Sequence, residues 1–330
     1  MEIAKFIFHV LIFPGGLFAI AMALLMSGID RKIVAKMQLR QGPPLLQPFY
    51  DFIKLLGKDV IVPRNALRKA FLLAPIVGLA SVLIIPIFIP MYQEAFINST
   101  ADIIVIIYLL TISAVMLVVG GSSSSSPLAG IGASREVVTM LAYELPMVMS
   151  ILAVCKKAGA FMGTNVSFSL LGIQGFQVVD GMGLFHITLI PAAIAFLMVI
   201  PAEVGVVPFD MAEAETEICE GPLVEYSGLY LALYKLTSQI KAFIMSGLFV
   251  ALFLGGKGIG VTGNATLNII LFLILTLVVM FISITLVRAI AGRFKINQGL
   301  KFFWTVPAVL SLISFLAITL AMWLEGFKWG

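Results

Sequence analysis

The sequence contains little charge for its length. Only 12% of its 330 residues are charged, whereas 61% are hydrophobic, and the mean hydropathy is +1.10. An ordinary soluble domain has about 25% charged and about 45–50% apolar residues. The composition therefore excludes a soluble protein and predicts an all-α, polytopic membrane protein, because long apolar runs cross lipid as helices that satisfy their own backbone groups.

Metal-binding residues are scarce as well. Cys155 and Cys219 are the only cysteines, 64 positions apart and without a C-x-x-C partner, so this chain alone cannot build an iron–sulfur cluster or a structural zinc site. His9 and His186 each fall in an apolar segment. A haem between them is a minor alternative to ordinary hydrogen bonding between helices. We expect no metal or cofactor in this chain, and any redox centre in a partner subunit.

The signatures of independent enzymes are missing too. The chain has no P-loop, no G-x-G-x-x-G loop, no nucleophile elbow and no histidine-bearing triad, so we expect no catalytic residues. Its formal net charge of +4 and pI near 9.0 do not require a nucleic-acid partner, because membrane proteins collect basic residues in their cytoplasmic loops. We interpret the chain as one that relays charge.

Long apolar runs predict eight transmembrane helices in a single membrane domain, residues 1–330. A helix needs about 20 residues to cross the hydrocarbon core, and neither a long linker nor an internal repeat separates the runs. The predicted spans are residues 3–27, 70–92, 103–120, 136–155, 185–202, 229–254, 267–287 and 303–324. An even number of spans places both termini on one side of the membrane.

The basic residues predict the orientation in the cell membrane. The loops after the odd-numbered spans hold 14 Lys and Arg residues, whereas the termini and the other loops hold five. The positive-inside rule then places both termini outside. The predicted cytoplasmic loops are residues 28–69, 121–135, 203–228 and 288–302. In the first loop, LLQPFYDFIKLLGK is amphipathic and predicts a cytoplasmic surface helix in the lipid headgroups.

One predicted loop is strongly acidic, and we call residues 203–225 the acidic segment. Its seven carboxylates belong to Glu203, Asp210, Glu213, Glu215, Glu217, Glu220 and Glu225, with no Lys or Arg among them. A solvated surface loop is the simplest interpretation. However, the acids alternate with apolar residues, and the 3, 4, 3 spacing from Asp210 to Glu220 would place four acids on one face if the segment is helical. Crowded carboxylates share protons, bind cations or pair with a basic partner, which indicates an ion-coupling role.

Ionisable residues inside the predicted spans are further ion-coupling candidates. Glu144 lies in the fourth span, and Lys235 and Lys241 lie in the sixth. A charge near the bilayer centre costs roughly 2.5–3.5 kcal/mol, so it usually marks an ion or proton route. The alternative for Lys235 is snorkelling toward the membrane surface. We interpret Glu136, at the predicted start of the fourth span, as an ordinary charge at a helix N-terminus.

Four separated motifs carry a resemblance that covers about residues 28–305. They are DRKIVAKMQLRQGP at 30–43, SREVVTMLAYE at 134–144, AEVGVVPFDMAEAETE at 202–217 with EYSG at 225–228, and GRFKINQGLKFFW at 292–304. With these motifs, the chain resembles the H subunit of bacterial respiratory complex I. It also resembles the related subunits of membrane-bound NiFe hydrogenases, formate hydrogenlyases and archaeal sulfur-reducing complexes.

The resemblance implies a subunit that joins a cytoplasmic electron-transfer arm to H⁺ or Na⁺ translocation. It implies iron–sulfur clusters and a NiFe centre in partners, namely peripheral iron–sulfur and hydrogenase-like subunits on the cytoplasmic side and antiporter-like membrane subunits. Glu144 and the acidic segment are carried over as coupling residues. The residues carried over to the joint with the partners are Asp30, Arg31, Arg40, Arg135 and Arg293.

Departures from the quinone-reducing members indicate the branch. GPPLLQP at 42–48 is shorter than the corresponding loop, Val206 stands where those members usually carry Arg, Asp30 replaces Glu, and Asn297 stands in place of Asp. The resemblance therefore favours a hydrogenase or sulfur-reductase type, linked to ferredoxin. A quinone-site subunit of an NADH- or F420-type complex stays open, as does a self-contained transporter, although transporters often show internal repeats. The translocated ion and the terminal electron acceptor stay open as well.

Overall fold

A computed structural model describes residue 9 and residues 11–91, 101–255 and 264–324, and all regular structure in these ranges is helical. The prediction of an all-α protein is confirmed. The α-helices are α1 Gly16–Met37, α2 Gln47–Leu56, α3 Arg68–Ile84, α4 Asp102–Ser123, α5 Pro127–Phe161, α6 Leu170–Asp180, α7 Ile190–Val204, α8 Glu215–Ile218, α9 Gly228–Phe249, α10 Ala265–Met280, α11 Leu286–Ile290, α12 Ile296–Thr305 and α13 Pro307–Leu324. A π-helical turn joins α10 to α11, and another extends α9 to Leu254.

Within the described ranges, six helical segments are long and apolar enough to cross a membrane. They include α3, α4, α5 and the extended α9, together with Thr266–Ile290 and Ile296–Leu324. The polytopic prediction is confirmed, but the count of eight is not. The fifth predicted span is the shorter apolar helix α7. The first predicted span corresponds in part to α1, which is not among the six segments, and residues 3–8 and 10 of that span lie outside the described residues.

Several predicted boundaries are wrong for a common reason. The fourth span begins at Pro127 rather than at residue 136, so Glu136 lies well inside α5 and is not at a helix N-terminus. The first helix continues through Asp30 and Arg31 to Met37, and α12 occupies much of the predicted loop 288–302. Backbone hydrogen bonding continues a helix through polar residues, whereas the prediction ended each helix where the apolar run ended.

Helix α9 is the centre of the fold, and it is buried along most of its length. It packs against α1, α2, α3, α7 and α10, while α5, α7 and α13 form a neighbouring group. The predicted surface helix is present as α2, where Phe49 and Phe52 contact the main core and Ile53 is exposed. This packing places side chains of α9 next to the acidic segment.

Candidate functional site

The first half of the acidic segment is fixed to α12. Helix α7 ends at Val204, and Gly205 then adopts a left-handed conformation with φ +73°. The ring of Phe209 packs against the rings of Phe294 and Phe303, with centroids 5.5 and 4.7 Å apart. The backbone N–H of Phe294 donates to the Pro208 carbonyl at 3.0 Å. Aromatic packing of this kind holds the PFD turn in one position.

The second half of the segment is fixed to α4 and α5. The short 3₁₀ turn Gly221–Leu223 packs against both helices, and Pro222 contacts the glycines of α4 and α5. The Tyr226 ring stacks on Phe71 with centroids 4.1 Å apart, and its hydroxyl donates to the Phe71 carbonyl at 3.0 Å. The acidic segment is therefore folded against α4 and α5, and the interpretation as a simple solvated loop is wrong.

The predicted helical face of four acids is wrong. Between Asp210 and Glu220, only Glu215–Ile218 is helical, and this helix stops at Cys219, whose φ of +50° is left-handed. Glu220 and Gly221 also have positive φ values, so the chain turns too sharply for a longer helix. As a result Asp210 and Glu213 line an internal cavity, whereas Glu217 is half exposed and pairs with Arg135.

The internal cavity, which we call the inner cavity, is small and rich in ionisable groups. It has a volume of about 50 Å³ and lies between α4, α5, α7, α9 and the acidic segment. Five ionisable residues line it, namely Glu136, Glu203, Asp210, Glu213 and Lys241. Its hydroxyl groups come from Tyr234, Thr237, Ser238 and Ser113. Carboxylates, an ammonium and hydroxyls at this density form a set of groups that can exchange protons.

On the wall of the inner cavity, Glu203 and Lys241 form a buried ion pair. Lys241 Nζ lies 2.9 Å from Glu203 Oε1, and the Lys241 and Glu203 side chains are 8% and 3% exposed, respectively. The same ammonium donates to the Glu203 carbonyl at 3.3 Å. In a low-dielectric interior, such a pair is held together by mutual charge compensation, because either ion alone would be costly.

A second, larger cavity adjoins the inner one. This wide cavity has a volume of about 450 Å³ and shares Asp210, Glu213 and Ser238 with the inner cavity. Further ionisable residues on its wall are Asp30, Arg31, Glu215, Glu220, Lys235, Arg288 and Arg293. Because the two cavities share carboxylates, ionisable groups extend from the wide cavity to the buried pair.

Glu213 stands at the boundary between the two cavities, and its pKa is strongly shifted. Burial raises the pKa from 4.5 to about 8, and the nearby carboxylates of Glu136, Asp210 and Glu220 contribute to the rise, whereas Lys235 lowers it. A carboxyl group with this pKa carries a proton at neutral pH. Glu213 can therefore gain or lose a proton when a neighbouring charge changes.

Arginines bind the acidic segment to the rest of the chain. Arg293 donates to both oxygens of Asp210, at 2.9 and 2.6 Å, and these hydrogen bonds raise the pKa of Arg293. Arg135 Nη1 lies 2.6 Å from Glu217 Oε2 and also donates to the Met211 carbonyl at 3.3 Å. These charge-assisted contacts orient Asp210 on the cavity walls and hold Glu217 against α5.

The other predicted interface residues have varied surroundings. Arg31 pairs with Asp51 at 2.8 Å, and Asp30 accepts from Arg288 at 3.1 Å and from Thr285 at 2.7 Å. Arg40 is exposed and contacts Gln38. The arginines of α1, α5 and the α12 region thus already have carboxylate partners in this chain, and their role at a subunit joint stays a prediction.

Some predicted coupling residues lie elsewhere. Glu144 accepts a hydrogen bond from Thr111 at 3.1 Å between α4 and α5 and lines neither cavity. Glu225 and Glu217 also lie outside both cavity walls. Glu136 was missed as a cavity residue. Pro127 directly after Ser126 is a helix-start signal that would have placed Glu136 inside the helix.

The described residues define a polytopic, helical membrane protein whose cavities, lined by ionisable residues, lie beside a folded acidic segment. In these ranges, no group of three or more His, Cys, Asp or Glu residues could hold a metal ion. The family model described as NADH dehydrogenase matches residues 9–319, so the chain belongs to that family.

Known relatives agree with this assignment. The H subunit of NADH-quinone oxidoreductase from Dehalococcoides mccartyi strain 195 is 31% identical over 308 residues, which are 89% of this chain and 81% of the relative. The corresponding protein of Acidovorax sp. strain JS42 is 30% identical over 307 residues, covering 88% of this chain and 83% of the relative.

A solved structure also matches over nearly its whole length. It is a chain of the membrane-bound sulfane sulfur reductase, an archaeal respiratory membrane complex, with a TM-score of 0.84, 30% identity, and coverage of 96% of this chain and 99% of that chain. The resemblance seen in the four motifs is confirmed: this chain is a membrane component of a complex I-like oxidoreductase, of the same kind as the H subunit of NADH-quinone oxidoreductase.

Proposed function

We propose that this chain couples electron transfer in a cytoplasmic arm to translocation of H⁺ or Na⁺, in a complex of the sulfur-reductase or hydrogenase type. One observation carries the proposal: the wide cavity and the inner cavity share Asp210 and Glu213, and the buried pair of Glu203 and Lys241 lines the inner cavity. Ionisable groups in adjoining cavities offer a proton or a cation successive binding positions.

The coupling is electrostatic. A change of charge near the wide cavity alters the pKa of Glu213, because that pKa already depends on the charges of Asp210, Glu220 and Lys235. Each pKa unit corresponds to about 1.4 kcal/mol of differential interaction, so a modest change in a neighbouring charge changes proton occupancy. A change at Glu213 then reaches the Glu203–Lys241 pair, whose side chains line the same cavity.

Two features support an electron acceptor other than quinone. Leu45 in the short GPPLLQP turn packs directly against Gly28 of α1, and Val206 contributes an apolar side chain to the wide cavity where quinone-reducing members usually carry Arg. The chain also matches a sulfur-reductase chain over 99% of that chain's length. Reduced ferredoxin is the electron donor that this branch implies, delivered through peripheral iron–sulfur and hydrogenase-like subunits, with antiporter-like subunits in the membrane.

The coupling proposal is tested in sealed vesicles containing the complete complex. Glu213→Gln combined with Glu215→Gln keeps side-chain size but removes two titrating groups from the wall of the wide cavity. We expect the complex to assemble and to transfer electrons while ion translocation falls. The matched control is Asp59→Asn, an exposed carboxylate that lines neither cavity. Unchanged translocation in the double variant would mean that the acidic segment has only a structural role.

The branch proposal is tested separately with the purified complex. Turnover with reduced ferredoxin and no added quinone is the expected result. Turnover that requires quinone, or a quinone bound at this chain, would favour the NADH- or F420-type alternative. This second outcome leaves the coupling role of the carboxylates in place, so the two tests fail independently.

A further inference from the structure

A third cavity lies between the surface helix α2 and the central helix α9, and we call it the basic cavity. It has a volume of about 340 Å³, within the range of about 300–1,000 Å³ found for small-molecule sites, and four cationic side chains line it. They are Arg31, Lys54, Lys58 and Lys235. The one carboxylate on the wall is that of Asp51.

The charges on this wall are not balanced. Asp51 is already engaged, because Arg31 Nη1 lies 2.8 Å from one of its oxygens and Gln47 donates to the other at 2.9 Å. Among the described residues, Lys54, Lys58 and Lys235 take part in no ion pair. Lys54 and Lys235 lower the pKa values of Asp51 and Glu213, respectively, without forming an ion pair with either. One engaged carboxylate on the wall does not offset three ammonium groups, which repel each other unless an anion lies between them.

The rest of the cavity is apolar, and its surroundings are suited to lipid. Phe52, Leu55 and Leu236 form the apolar part of the wall. On the outer side of α2, Leu46, Tyr50 and Ile53 recur at helical spacing and are 47%, 55% and 62% exposed, respectively. An exposed apolar stripe with lysines beside it is typical of a helix that lies in the headgroup layer of a membrane.

We propose that the basic cavity binds the phosphate headgroup of an anionic phospholipid, held by Lys54, Lys58 and Lys235 with its acyl chains along the apolar wall. Lysine ammonium groups on flexible stems bind phosphate as point charges. Basic clusters at the membrane surface favour anionic over zwitterionic headgroups. Free phosphate could bind the cations but would leave the apolar wall uncovered. An acidic segment of a partner protein could also bind the cations, but it would not account for the exposed apolar stripe of α2.

The test uses the complete complex in nanodiscs that contain phosphatidylglycerol and phosphatidylcholine, each supplied in turn as a photoactivatable analogue. We expect the phosphatidylglycerol probe to label residues 47–58 and α9 more strongly than the phosphatidylcholine probe. This comparison on the unaltered protein needs no variant. Equal labelling by the two probes would overturn the proposal.

Variants then assign the site. Lys58→Gln combined with Lys235→Gln is expected to reduce phosphatidylglycerol labelling to the phosphatidylcholine level, whereas Lys36→Gln, an exposed lysine outside the cavity, keeps it. Undiminished labelling in the double variant overturns the proposal. Displacement of the lipid probe by inorganic phosphate would reassign the cavity to a free anion, and crosslinks from Lys58 to an acidic partner segment would reassign it to a protein contact.

Discussion

Pro222 of the acidic segment packs directly against Gly132 of α5. A Cβ atom added at residue 132 would lie 2.5 Å from Pro222 Cδ and 2.7 Å from the Gly221 Cα. No real side chain tolerates contacts that short, so the missing side chain of Gly132 sets how close the acidic segment lies to the helix. The positions of the carboxylates on the cavity walls therefore depend on this contact.

Gly132→Ala is therefore expected to displace the acidic segment. Overpacking of a close backbone contact costs roughly 1–3 kcal/mol, and the cavity carboxylates would move with the segment. The measurements are the thermal stability of the purified complex and ion translocation in vesicles, both of which should fall. Gly130→Ala is the matched control, because a Cβ there has no neighbour within 4 Å. Equal losses in both variants would show that the segment does not rest on Gly132.

The sequence was sufficient for some parts of this site and not for others. Apolar runs and motif order identify the helical class and the family, because both are local properties of the chain. The pairing of Asp210 with Arg293, 83 residues apart, follows from the packing of the PFD turn on α12 and has no local signal. The position of Glu136 in the inner cavity was not predicted because the polar start of α5 resembles a loop in sequence.

Cys219 is a native thiol that provides a test of membrane orientation. Its side chain is exposed in the acidic segment, whereas Cys155 is buried. If the segment is cytoplasmic, a membrane-impermeant maleimide should label Cys219 only from the cytoplasmic face of sealed vesicles. Cys219→Ser is the control and should abolish labelling. Labelling from the opposite face would reverse the topology predicted from the basic residues.

The pKa of Glu213 predicts a pH dependence of stability. Its pKa is about 8 in the folded protein and 4.5 for the free side chain, so the folded state holds an additional proton between these values. The stabilising contribution is complete below pH 4.5 and is lost as the pH rises through about 8. Glu213→Gln should remove this step from a plot of unfolding midpoint against pH.

Neighbouring charges should move the step in opposite directions. Glu220→Gln removes a like charge and is expected to lower the pKa of Glu213, whereas Lys235→Gln removes a cation and is expected to raise it. Infrared difference spectra that follow the protonated carboxyl band across this pH range measure the shift directly. Shifts of the same sign in both variants would contradict the electrostatic origin of the raised pKa.

Arg40 is expected to contribute more to partner binding than the other predicted interface arginines. It is exposed and takes part in no ion pair of the described residues, whereas Arg31, Arg135 and Arg293 each pair with a carboxylate of this chain. A guanidinium group without a carboxylate partner in its own chain can bind a carboxylate of another protein chain through two hydrogen bonds.

The measurement is the amount of cytoplasmic subunits that copurify with this chain. Arg40→Ala should reduce it, while Arg135→Lys should mainly loosen the acidic segment and leave copurification closer to normal. Lys36→Ala, at an exposed position in the last turn of α1, controls for loss of positive charge. If Lys36→Ala releases the partners as strongly as Arg40→Ala, charge alone rather than guanidinium geometry holds them.

The buried pair of Glu203 and Lys241 should show strong energetic coupling. Glu203→Gln alone leaves a buried ammonium without its counterion, and Lys241→Met alone leaves a buried carboxylate, and each change is expected to cost roughly 3–5 kcal/mol. The double variant restores neutrality, so its cost should be well below the sum of the two single costs. A double-mutant cycle on the denaturation of the purified complex measures this difference.

The exposed pair of Arg135 and Glu217 is the matched control for the same cycle. Its side chains are 25% and 51% exposed, and pairs with this access to solvent contribute only about 0–1 kcal/mol.

The double variant at Glu203 and Lys241 should also fail to translocate ions while electron transfer continues, because methionine and glutamine do not titrate. Additive single costs at the buried pair would mean that the two charges are compensated by other groups, and full translocation in the double variant would remove the pair from the coupling route.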